Sequence, residues 1–194
     1  MNRRHLLLLL AGGVGAAAGL TWFTHDTRVA VGAPAPSGTP ALPDEVAKTA
    51  TLLLAKQGEV NFPLAVPTDL AAFIPPNSIE KDGPKQGPIV LFYLGYKANP
   101  RARISFAQTA AGFGVVQPFP KNLATGMVKQ QIKLLGSDAT LLTATQAKTG
   151  ANLAQVVWSY GGRTYWAESN GIPTDTLLKL VSSVQPVSLI QLPR

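Results

Sequence analysis

The side chains that most often carry catalysis are nearly missing from this 194-residue sequence. There is no cysteine, so there is no thiolate nucleophile, no thiolate metal ligand and no disulfide framework. The two histidines, His5 and His25, both lie near the N-terminus. From Asp44 onward the chain has neither residue type, which excludes Ser-His-Asp catalysis, imidazole acid–base chemistry and the common zinc sites from that stretch. The carboxylates Glu59, Asp69, Glu80, Asp82, Asp138, Glu168 and Asp175 have no spacing that sets two of them on one recognisable element. No catalytic residue, cofactor or metal ligand is assigned, and an enzyme is not expected. The chemistry that remains is binding through aromatic and basic side chains.

The richest aromatic stretch is Gln155–Glu168, which reads as a β-hairpin around Gly161-Gly162. Counting outward sets Tyr160 opposite Arg163, Ser159 opposite Thr164, Trp158 opposite Tyr165 and Val157 opposite Trp166. Alternation gathers Val156, Trp158, Tyr160, Arg163, Tyr165 and Ala167 on one face and Val157, Ser159, Thr164 and Trp166 on the other. Two aromatics on opposite faces share a core only if both faces are covered. Trp158 and Tyr165 are therefore expected in the core, with Trp166 facing a groove or a partner. The ligand- or partner-binding candidates are Trp166, Tyr160, Tyr93, Phe113 and Phe119. Lys97, Arg101 and Arg103 form a candidate basic surface, although a solvated turn accounts for that cluster without any partner.

These residues need elements to position them. Asp44–Gln57 has a helical apolar stripe of Val46, Ala50, Leu53 and Leu54, with acidic residues at its start and Gly58 at its end. Val60–Val66, interrupted by Pro63, is expected as an edge strand, and Thr68–Phe73 as one helical turn. Ile89–Tyr96 is the most apolar strand; both of its faces call for burial, so it is expected to be central or to line a pocket. Lys97–Pro100 turns the chain into a strand over Arg101–Thr109, with Ala102, Ile104 and Phe106 inward. Ala110–Thr125 lacks periodicity and reads as a long loop, apolar enough through Phe113, Val115, Val116 and Phe119 to lie over a cavity. Met127–Leu135 and Ala139–Ala147 are strands around Gly136-Ser137-Asp138. Thr174 is placed as the cap of a helix over Asp175–Val184, and Val187–Leu192 as a last strand or a tail. The fold class is α+β: a bent antiparallel sheet of about six to eight strands with helices packed on one face, half-barrel-like.

The N-terminal segment is of a different kind. Met1–Arg4 is short and positive, and Leu6–Phe23 is an uninterrupted run of apolar, Gly and Thr residues. This is the pattern of an export signal or of a membrane anchor, and Arg3 and Arg4 set the body on the far side of the membrane. Arg3-Arg4 fits a twin-arginine signal as well as a general-secretion one. Gly13-Val14-Gly15-Ala16-Ala17-Ala18 fits a loose dinucleotide fingerprint, but a proline-rich linker follows where a βαβ unit is needed. Pro34, Pro36, Pro40 and Pro43 make that linker an extended tether. The expected organisation is a signal or anchor over residues 1–33, a linker over 34–43, and one domain over 44–194. The net charge is +7; without residues 1–33 it is +5. A basic body favours acidic partners, though solubility alone explains it.

Together, Ile132–Leu141, Val157-Trp158, Gly162-Arg163-Thr164-Tyr165 and the Leu-rich Thr174–Val184 stretch resemble the uncharacterised C-terminal domain of bacterial anti-sigma-factor-like membrane proteins. Asn61–Pro67 resembles that family's opening segment, and the likeness covers about residues 60–186. The resemblance implies a fold similar to the half-barrels of lipoprotein carriers and of periplasmic regulators of sigma-factor release, in which a curved sheet wraps helices and can hold an acyl chain. It transfers no catalytic residue. Only five residues precede the apolar run, too few for that family's cytoplasmic sigma-binding segment, so a direct anti-sigma role is not expected. The sequence thus leads to an extracytoplasmic domain (periplasm or cell envelope), tethered to the membrane through Leu6 to Phe23 if uncleaved. Its expected partner is an apolar ligand or an envelope protein, not nucleic acid. The alternative is a structural or assembly subunit of an envelope complex, using the sheet edge at Val60–Val66 or the basic hairpin.

Overall fold

Alternation of apolar and polar residues over the second half of the chain builds one large antiparallel sheet. In the computed structural model, residues 42–82, 88–110, 118–120 and 122–192 are described, all within the compact unit Pro40–Arg194. The expected signal or anchor, nearly all of the linker, and Phe113, Val115 and Val116 lie outside the described residues.

The elements run as helix α1 (Asp44–Gln57), strands β1 (Ala65–Pro67), β2 (Phe73–Ile74), β3 (Glu80–Asp82), β4 (Ile89–Tyr96), β5 (Asn99–Thr109), β6 (Ala124–Leu134), β7 (Ser137–Gln146), β8 (Asn152–Tyr160) and β9 (Arg163–Asn170), helix α2 (Thr174–Ser182), strand β10 (Val184–Pro186) and a 3-10 turn, Val187–Leu189. Eight strands form an open sheet in the order β2-β4-β5-β9-β8-β7-β6, with β3 also paired to β4. β1 and β10 form a separate two-stranded ladder. The described residues are therefore mostly antiparallel sheet with two helices.

The hairpin register follows the turn. Gly161 and Gly162 both have positive φ, 57° and 75°, as a two-residue turn compatible with strand twist requires. Trp158 pairs with Tyr165 and Val157 with Trp166, as counted from the sequence. The face bearing Trp158, here the inner face, is closed: Trp158 is 1% exposed and Tyr165 0%. Their rings stack at 5.0 Å, and Phe106 meets both, at 6.0 and 6.1 Å. Phe92 stacks on Phe106 at 5.0 Å. These residues share one buried cluster with Val46, Ala50 and Leu53 of α1 and Leu177, Leu180 and Val181 of α2. Buried Gln108 ties the small ladder to the sheet: its Oε1 accepts from Ala65 N at 2.9 Å and its Nε2 donates to Ala65 O at 3.0 Å.

Several expectations are corrected. Val60–Val66 is not an edge strand. Pro63 has no N–H to give a ladder, and Gln57 bends the chain back on α1 by donating to Phe62 O and accepting from Leu64 N. Only Ala65–Pro67 is extended, and β10 covers it. Thr68–Phe73 is not a helical turn; Phe73 pairs with Tyr96 on β4, while Thr68 and Asp69 are held by Ser183. The turn before β7 is Leu135-Gly136, both with positive φ, so Ser137 and Asp138 already belong to the strand. Thr174 does not cap α2. Pro173 holds that position, and Thr174 Oγ1 instead accepts from Asn152 Nδ2 at 3.2 Å. Ile89–Tyr96 is a strand over those bounds, yet burial is one-sided: Val90, Phe92 and Leu94 are buried, while Tyr93 on the other face is 39% exposed.

Candidate functional site

The outer face of the sheet carries the features that a core does not explain. Register places Leu91, Ala107, Trp166, Val157, Thr140 and Gln131 in one row across β4, β5, β9, β8, β7 and β6. The next row is Tyr93, Ser105, Glu168, Gln155, Leu142 and Lys129. A third holds Arg103, Asn170, Leu153 and Ala144. Ala107, outward by alternation, is nevertheless buried, because Leu91 and Trp166 flank it.

At one end of this face the chain returns over the sheet. Leu123 N and Ala124 N both bond to Pro120 O, and Ala147 N bonds to Leu123 O, which fixes the return against β7. Phe119 is thereby buried with Ala124, Leu142, Ala144 and Leu153 in a second, smaller apolar cluster. Beside it lies a cleft of about 430 Å³, within the range of small-ligand sites. Phe119, Leu123 and Leu153 give it apolar walls; Gln155, Glu168, Asn170 and Gln146 give it polar ones.

The polar part of this cleft is organised. Gln155 is 4% exposed and donates from Nε2 to Glu168 Oε2 at 3.0 Å. That bond fixes the amide orientation, because the reverse would set oxygen against a carboxylate. Gln155 Oε1 is then left buried without a partner. Buried amide oxygens are nearly always satisfied, so an unused one beside a cleft marks a place where a donor is missing. Glu168 enters none of the ion pairs among the described residues.

The inner face of the same hairpin has the opposite imbalance. Arg163, 8% exposed, donates from Nη1 to Tyr165 Oη at 2.9 Å, while its Nε and Trp158 Nε1 are buried donors without acceptors. Burial pushes the Tyr165 hydroxyl above its ordinary value of 10.0, and the adjoining guanidinium pulls the other way.

The sequence candidates separate on this geometry. Trp166, Tyr93 and Phe119 all face outward, with Trp166 half-buried one row from Glu168 and Phe119 in the cleft wall. Tyr160 lies on the inner face opposite Arg163, away from them, and Phe113 is outside the described residues. The basic trio does not act as one patch. Lys97 Nζ bonds Glu45 Oε1 at 2.6 Å and Ala71 O at 2.8 Å. The Lys97 ammonium, first by its hydrogen bond, holds the Glu45 carboxyl below its ordinary value of 4.5. The Arg103 guanidinium lies 5.5 Å from the Tyr93 ring centre, and Arg101 is exposed.

Sequence reading missed Gln155 and Glu168 as a pair. The signal was present: the count that pairs Val157 with Trp166 reaches Gln155 and Glu168 two places further out. Among the described residues, no three His, Cys, Asp or Glu side chains come together to hold a metal, and no helix is long and apolar enough to cross a membrane.

No family model, curated protein or solved structure matches the chain. The reading of the site therefore rests on its own geometry.

Proposed function

We propose that this protein is a non-enzymatic, extracytoplasmic binding domain, tethered to the membrane by Leu6–Phe23, that receives an apolar envelope ligand or a side chain of a partner protein at the outer-face cleft. One observation carries this reading: apolar walls from Phe119, Leu123 and Leu153 meet a fixed Gln155–Glu168 pair with an unused acceptor. Apolar walls with a few placed polar groups are the usual make-up of a ligand site. In this reading the fold is a bent half-barrel with both helices on the inner side, akin to the anti-sigma-factor-like domains that the sequence resembles. The shared cluster of α1, α2 and inner-face residues supports it. The inner side is occupied by stacked aromatic rings, so the ligand is assigned to the outer face instead.

A second reading, an assembly subunit of an envelope complex, is favoured by β6. This edge strand is 11 residues long, is exposed along most of its length, and presents Met127 and Val128 beside exposed Leu123. Lys129 and Lys133 work against nonspecific pairing, as charges on sheet edges commonly do.

Native mass spectrometry of the full-length chain purified from its own cell envelope separates the two. An added mass that leaves on organic extraction supports the ligand reading. A bare mass, with defined partner proteins recovered alongside the chain, contradicts it and supports assembly through β6.

A further inference from the structure

The cleft's polar groups narrow the class of ligand, given the binding reading above on which this step rests. Glu168 is a carboxylate with one oxygen held by Gln155 Nε2 and, among the described residues, with no cation paired to it. That is unusual in a basic body, where Lys and Arg outnumber Asp and Glu. Arg103 is diagonal to it on the neighbouring strand, yet its guanidinium lies by the Tyr93 ring. Gln155 adds a second unused acceptor, turned away from solvent, and the Asn170 amide lies at the same cleft. The charge-bearing and unsatisfied atoms are thus acceptors. Phe119, Leu123 and Leu153 beside them suit an alkyl stem, and an aromatic wall also attracts a cation.

We infer that the cleft binds a primary ammonium group carried on an apolar stem, with Glu168 as its counter-ion. An ammonium has three donors and no acceptor, which matches the Glu168 carboxylate at a cleft also lined by the Gln155 and Asn170 amides. The same chemistry is offered by a free alkylamine and by a lysine side chain of a partner. A carboxylate-bearing or phosphate-bearing ligand would meet Glu168 as a like charge and is disfavoured.

The test uses the full-length chain in lipid nanodiscs, titrated with n-butylammonium, butan-1-ol and butyrate, which share one stem and differ in head group. The readout is the side-chain amide signal of Gln155 and the indole signal of Trp166 by NMR. Butylammonium is expected to bind at least about tenfold more tightly than the other two, and Glu168→Gln is expected to remove that preference. Nα-acetyl-lysine methylamide distinguishes the source: binding equal to that of butylammonium assigns the site to a peptide side chain, and much weaker binding assigns it to a free amine. Equal binding of butanol and butylammonium overturns the ammonium assignment while the cleft remains a binding site. No shift with any probe overturns both. The comparison among probes on the unaltered chain stands even if Glu168→Gln fails to fold. Phe119→Ala, which removes the aromatic wall, is expected to weaken butylammonium more than butanol.

Discussion

Trp158 and Trp166 sit on adjacent strands of one hairpin and face opposite ways. Trp158 is sealed among Tyr165, Phe106 and the rest of the inner cluster. Trp166 is half-buried between Ala107 and Val157 on a face that, among the described residues, is covered at one end by the return through Phe119. Both faces also hold polar groups, but of opposite kinds. The inner face has surplus donors, Arg163 Nε and Trp158 Nε1, beneath a tightly stacked layer. The outer face has surplus acceptors, Gln155 Oε1 and Glu168, beside open volume. An unsatisfied group inside a packed layer adds to the cost of the fold; a carboxylate lining a cleft, as Glu168 does, is within reach of a ligand. In the proposed reading, that difference gives stability to one side of the hairpin and binding to the other.

The sharpest way to break this division is to truncate the two tryptophans. Trp158→Ala is expected to cost about 3–5 kcal/mol of folding stability, as for other large buried aromatics, measured by denaturant unfolding. Trp166→Ala is expected to cost roughly half as much, since only part of its surface is buried, and to change ligand binding instead. Equal losses would erase the distinction. The double change Arg163→Met with Tyr165→Phe tests the donor side. Replacing the buried charge and its hydrogen-bond partner together by apolar groups of similar size is expected to leave stability unchanged or raised by up to about 2 kcal/mol.

Two pH effects sharpen the comparison further. The folded state raises the Tyr165 hydroxyl above 10.0, so the unfolded chain ionises first. The stability that neutral Tyr165 contributes is present below pH 10 and is lost as the pH rises through the raised value, which unfolding followed by tyrosinate absorbance will detect. Glu45 has the opposite sign: its lowered value gives stability that is present above pH 4.5 and lost as the pH falls through the folded-state value. Lys97→Met is expected to reduce this small acid-side dependence, because that ammonium is its largest cause.

How much of this was legible in the sequence depends on the range of the interaction. The hairpin register was legible because Gly161-Gly162 allows a tight turn and the residues beside it alternate. Helix α1 and strand β4 were legible from their apolar periodicity. Val60–Val66 was misread because a side chain, Gln57, and not the local backbone preference, decides where that segment goes. The cap of α2 was misread for a related reason: the Thr174 hydroxyl is taken by Asn152, 22 residues away. Of the cleft, Phe119 was legible as an aromatic in a suitable place, while Trp166 lies on the same face outside the lining. Its polar floor was not, because Gln155 and Glu168 gain meaning only when Phe119 and Leu123 wall one side of them.

The most direct test of the outer face as the binding side is photo-crosslinking in living cells, with a photoreactive phenylalanine analogue placed in the full-length chain. Leu123 is 45% exposed at the cleft, and Leu189 is 69% exposed after β10, outside the cleft lining. The account predicts a discrete crosslinked product from position 123 and none from position 189, with the product at 123 reduced by Glu168→Gln. Equal products from both positions, or a product from 189 alone, would contradict it.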